Sequence, residues 1–175
     1  MGDAAYERTR ERSRALSLDP RPLSARQAAI LWEAVAPLLR DMEATGQTVP
    51  DIRAEAHADR GAGILCAWIQ NPDGTGRTIS VLPPGERGEQ LCDLAEQLQD
   101  WARDVQMGPE RRRWPDCPAH PGAHCWLDPE ATGETAVWLC PQTTRVIAEV
   151  GELGSPLRGI PRIRSRKPGS TAAGP

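Results

Sequence analysis

Between positions 117 and 140 stand three cysteines and two histidines: Cys117, His120, His124, Cys125 and Cys140. Thiolate sulfur and imidazole nitrogen are the preferred donors for zinc, which takes four of them in a tetrahedron where its role is structural. Cys117-Pro118-Ala119-His120 puts two donors within one tight turn, whose backbone amides also approach the thiolate. Cys140 ends an apolar run at Pro141 and supplies a second corner. The remaining donor is Cys125 or His124, making a Cys3His or a Cys2His2 set. Cys125 is the preferred choice, because its thiolate binds zinc more strongly and it leads into Trp126-Leu127, readable as a further strand; His124 is the alternative.

With these residues, positions 116–150 resemble a zinc ribbon, over less than a quarter of the chain. The resemblance implies a β-hairpin module held by one structural zinc. A full ribbon offers Cys-x-x-Cys in each knuckle, whereas the second knuckle here reads Cys140-Pro141-Gln142-Thr143. Thr143 stands where the fourth ligand belongs, so the other three donors must come from the first half. The competing reading is a metal-free hairpin whose tryptophans are buried on the rest of the protein.

Other chemistry is poorly supplied. No Gly-x-Ser-x-Gly, His-Glu-x-x-His or phosphate-binding loop is present, and a site filled by four protein ligands has no open position for water. A deaminase needs His-x-Glu ahead of Pro-Cys-x-x-Cys, and neither half is found. His57 shares a polar strand face with Arg53, Glu55 and Asp59, which reads as a solvated face. Cys66 and Cys92 read as small buried hydrophobes. Five cysteines are an odd number for a disulfide framework, and no apolar leader precedes the charged N-terminus, so a cytoplasmic location with reduced thiols is expected.

The elements that must carry this cluster are legible in the hydrophobic pattern. Ser24-Ala25-Arg26-Gln27 is a capping box, and Ala28, Leu31, Val35, Leu38, Leu39 and Met42 form a helical stripe running to Gly46, with a kink expected near Glu33 because Pro37 removes one backbone donor. Residues 51–59 alternate apolar and polar, residues 63–70 are apolar on both faces, and residues 77–82 follow a turn at 71–76. A second helix is expected over 86–106, with Leu91, Leu94, Ala95, Leu98, Trp101, Ala102 and Val105 on one face. Residues 136–140 and 146–150 read as a hairpin. The expectation is an α+β protein: an antiparallel three-stranded meander with two flanking helices (αβββα, residues 23–113), then the zinc-ribbon-like module (114–153). A disordered arm (1–22) and a disordered basic tail (154–175) flank them.

Charge narrows the partners. Six acids and Arg145 alone occupy residues 114–153, while four arginines, Lys167 and no acid occupy residues 154–175. Phosphate contacts need positive charge, so nucleic acid is expected only through that tail. No apolar run approaches a membrane span. The abundance of arginine over lysine, with six tryptophans and no phenylalanine, reflects coding bias more than recognition. The function expected is a non-catalytic protein-interaction or regulatory module, not an enzyme, with another protein as partner. The alternatives are nucleic-acid binding through the tail and a thiol-based redox or metal sensor.

Overall fold

The computed structural model describes residues 21–53, 55–56, 65–71, 73–81, 86–105 and 113–155. Most of the expected arm (1–20) and tail (156–175), together with His57 and Asp59, lie outside the described residues. The chain runs β1 (Arg21–Pro22), α1 (Ala25–Ala44), β2 (Asp51–Arg53), β3 (Glu55–Ala56), β4 (Leu65–Gln70) and β5 (Gly76–Val81). Then follow α2 (Arg87–Val105), β6 (Asp128–Ala131), β7 (Ala136–Cys140) and β8 (Arg145–Glu149). Two helices and two three-stranded antiparallel sheets make this an α+β protein, as the pattern of elements implies.

Helix α1 starts on its capping box: the Gln27 amide donates to Ser24 Oγ (3.3 Å), and the Ser24 amide donates to Gln27 Oε1 (3.0 Å). These bonds satisfy amides that no preceding turn can reach. Leu31, Val35, Leu38 and Met42 lie fully buried on its inner face. The helix continues through Pro37 to Ala44, even though proline lacks the amide that would close one helical bond.

The first sheet has the order β2-β4-β5, with Ile52 opposite Ile69 and Ala67 opposite Ile79. Ile52, Ala67, Ile69, Ile79 and Val81 are all buried in the core. The run read as one strand over 51–59 is divided: β2 pairs with β4, whereas β3 pairs with β1 in a separate two-stranded ladder. A change of partner interrupts a hydrogen-bond ladder that alternation alone would have continued.

Helix α2 joins the two sheets. On one side, the Gln97 side-chain amide donates to the Ser80 carbonyl (2.9 Å) and accepts from the Ser80 amide (2.8 Å), acting as a substitute strand on the open edge of β5. On the other, the Gly88 amide donates to the Gly133 carbonyl (2.9 Å), Gln99 Nε2 to the Leu127 carbonyl (2.7 Å) and Cys92 Sγ to the Pro129 carbonyl (3.3 Å). Cys92 is thus half-buried at this seam, and burial pushes its thiol up. Cys66 is also half-buried on β4, so neither cysteine is the enclosed core residue that the sequence suggests.

The second sheet has the order β6-β7-β8, and its hairpin falls where the sequence places it. The third strand begins at Asp128 rather than at Trp126-Leu127; Trp126 instead makes a single bridge to Asp116. Trp114, Leu127, Ala136, Trp138 and Ile147 of this half pack in one continuous core with α1, α2 and the first sheet.

Candidate metal centre

Two limbs carry the candidate ligands. The first is a closed loop: the Leu127 amide donates to the Pro115 carbonyl and the Cys117 amide to the Cys125 carbonyl, both at 2.9 Å. These bonds make residues 115–117 and 125–127 antiparallel neighbours, so Cys117 and Cys125 face each other across the neck of the loop. Within it, the His120 amide donates to the Cys117 carbonyl (3.0 Å) and the Ala123 amide to the His120 carbonyl (3.2 Å). The chain turns back through positive φ at Gly122 (74°) and His124 (48°). The second limb is the β7–β8 turn, where the Thr144 amide donates to the Cys140 carbonyl at 2.7 Å.

Helix α1 holds both limbs in place. Its last turn presents two acceptors four residues apart, Asp41 and Thr45, which lie on one face. Trp138 Nε1, two residues before Cys140, donates to Asp41 Oδ2 at 2.6 Å. Trp114 Nε1, three residues before Cys117, donates to Thr45 Oγ1 at 2.8 Å. The two indoles meet edge to face with ring centroids 5.3 Å apart. Asp41 also accepts from the Gly151 and Leu153 amides, each at 2.7 Å, so the chain leaving β8 is fastened to the same carboxylate. Asp41 is the one charged residue of the buried core among the described residues. Burial pushes its carboxyl up from the usual range, against the pull of these three donors.

The limbs bring Cys117, His120, Cys125 and Cys140 together with their ligand atoms all within 4.8 Å of one another. His120 Nδ1 lies 3.4 Å from the sulfur of Cys117 and 3.4 Å from that of Cys140, and the Cys125 and Cys140 sulfurs are 3.8 Å apart. A tetrahedral ion with metal–sulfur bonds of ~2.3 Å and a metal–nitrogen bond of ~2.0 Å has S···S edges of about 3.8 Å and S···N edges of about 3.5 Å. These three edges come close to that figure, while the separations across the whole set extend to within 4.8 Å. The cluster can therefore hold a metal ion, with three buried cysteines and a half-buried histidine as donors. His124, the alternative fourth donor, is left out: its ring lies beside Trp126 (centroids 6.1 Å apart) on the outer side of the loop.

Thr143 turns out to have a different task from the ligand whose position it occupies. Burial opposes ionisation of Cys140, but the Thr143 hydroxyl, the Thr143 and Gln142 amides and Cys117 all hydrogen-bond its sulfur, and they bring that thiol down to about 6. Burial and the sulfurs of Cys140 and Cys117 push Cys125 the other way, up to about 11. The second knuckle thus offers one ready thiolate supported by donors from its own turn.

Sequence reasoning overlooked Asp41 and Thr45. The available signal was an acid seven residues after Ala34 and three after Leu38, on the apolar face of α1. No protein-family model matches this chain, and neither a curated protein nor a solved structure does. Fold and site define it as an α+β protein with a Cys3His cluster that can hold a metal ion.

Proposed function

We propose that Cys117, His120, Cys125 and Cys140 bind one zinc ion with a structural role, in a non-catalytic protein of the interaction or regulatory kind. The observation that carries this reading is the convergence of four ligand atoms from two limbs within 4.8 Å. Three thiolates and one imidazole suit zinc over magnesium or calcium, which take oxygen donors. Four protein ligands fill a tetrahedron, and such closed sites serve folding rather than water activation. The ion would tie the 117–125 loop to the β7–β8 turn, beside the Asp128–Leu139 pair where β6 and β7 run together. In this reading the metal makes a small loop-rich surface rigid enough to be recognised by another protein.

The test is metal analysis of freshly purified, untagged protein. One zinc per chain supports the reading. A chain free of metal, yet resistant to protease over residues 114–153, favours the metal-free hairpin instead.

A further inference from the structure

A small groove of about 60 Å³ opens beside the cluster, lined by Asp116, His120, Gly122, His124, Cys125 and Trp126. That space exceeds the ~10–15 Å³ one water needs, so a molecule slightly larger than water can enter it. Of the three cluster cysteines, only Cys125 lines this groove. Cys125 is 4% exposed, and Cys117 and Cys140 are 1% and 0% exposed and do not line it. The Cys140 sulfur lies 3.8 Å from that of Cys125.

We propose that Cys125 is an oxidative modification site: a hydroperoxide entering the groove oxidises it, Cys140 resolves it as a disulfide, and the metal is released. The proposal rests on the zinc reading above. Without metal the Cys125 thiol is pushed up, but as a zinc ligand it would be held as thiolate. In the first step that sulfur attacks one peroxide oxygen with its electron pair. The O–O bond breaks, hydroxide departs and takes a proton from water, and Cys125 becomes the sulfenic acid. The Cys140 sulfur then attacks the Cys125 sulfur, the S–O bond breaks, and a second hydroxide leaves, likewise protonated by solvent. Two electrons pass from two thiolates to one peroxide. The sulfurs close from 3.8 Å to the ~2.05 Å of a disulfide, with Cys125 carried by the end of a loop that already turns through Gly122 and His124. Cys117 and His120 remain, and two donors are too few for a structural zinc.

Zinc-loaded full-length protein is treated with hydrogen peroxide in the presence of a metallochromic chelator, followed by thiol counting and peptide mapping. The expected result is loss of one zinc per chain in step with two thiols, a Cys125–Cys140 disulfide, and recovery of zinc binding after a dithiol reductant. The Cys66→Ser/Cys92→Ser double variant is expected to behave identically. Zinc retained after two thiols are lost, or a disulfide through Cys117, Cys66 or Cys92, overturns the proposal while leaving the zinc site standing. A chain that never holds zinc overturns both. Trp126→Ala, which widens the groove without removing a ligand, is expected to speed zinc loss at unaltered zinc content. An unchanged rate rejects the groove as the route.

Discussion

Cys140 is the only member of the cluster from the second limb, so its removal would cut the metal link between the limbs as well as costing a ligand. Cys140→Ser is therefore expected to abolish stoichiometric zinc retention, whereas His124→Ala is expected to retain one zinc per chain. Metal analysis of the two variants at equal concentration checks both; full zinc in Cys140→Ser would exclude the site. Asp41 is the other residue on which much depends. Asp41→Ala leaves the Trp138 indole N–H and the Gly151 and Leu153 amides without their acceptor, and buried unpaired donors cost ~1–3 kcal/mol each. A loss of about 3–5 kcal/mol in unfolding free energy is expected from denaturant titration. The carboxyl also titrates with a definite sign. Its folded-state pKa is raised by burial, so its contribution to stability is fully present below the unfolded pKa and falls as pH rises through the folded one. The stability difference between wild type and Asp41→Asn should therefore shrink as pH rises from about 4 to 7. A difference that grows with pH would show that the donors outweigh burial.

The seam between α2 and the β6–β7 turn is a close approach between elements. A Cβ placed on Gly88 would clash with the carbonyl oxygens of both Gly133 and Thr135. Those are backbone atoms and cannot swing aside. Gly88→Ala must either lift the start of α2 or break its bond to Gly133, and overpacking of this kind costs ~1–3 kcal/mol. The helix propensity gained by alanine, about 1 kcal/mol, offsets only part of that cost. A net fall in denaturation midpoint with an unchanged slope is the expected outcome. Equal or greater stability in the variant would mean that the seam is looser than its geometry indicates. The same logic explains why Gln97 matters: its amide ends the first sheet at β5 by occupying the Ser80 peptide.

Across the whole molecule, the second sheet is held by packing as well as by whatever its Cys/His cluster could bind. Trp114 and Trp138 are 3% and 0% exposed and pack in the core shared with both helices. Burial of the tryptophans and convergence of the ligands, weighed as alternatives on sequence, occur together. Chelation is accordingly expected to lower stability without unfolding the chain. Zinc at a hundredfold excess over its Kd should raise the unfolding free energy by about 2.7 kcal/mol. Helical circular dichroism and the buried-tryptophan emission should persist in the chelated protein. Loss of both signals on chelation would mean that metal binding and folding of the whole chain are one event.

Local patterns were enough to determine both helices, the capping box and the β4–β5 and β7–β8 pairs, and to single out Cys117, His120, Cys125 and Cys140, which the fold brings together. Each is written in spacing over a few residues: helical period, strand alternation, turn chemistry and donor type. The preference for Cys125 over His124 rested on thiolate affinity and on a strand expected at Trp126-Leu127, which the structure instead begins at Asp128. Other features required the tertiary structure, because they join residues far apart in the chain. Asp41 meets Trp138, Gly151 and Leu153 about a hundred positions later, and Gln97 meets Ser80 across the sheet edge. The division of the 51–59 run depends on which partner each half finds, and alternation is the same for any partner. The role of Thr143 required folding as well: a hydroxyl in a ligand's position becomes a donor to the Cys140 sulfur only once the turn curls back on it. Periodicity reports which face of an element is buried, but only packing decides what it is buried against.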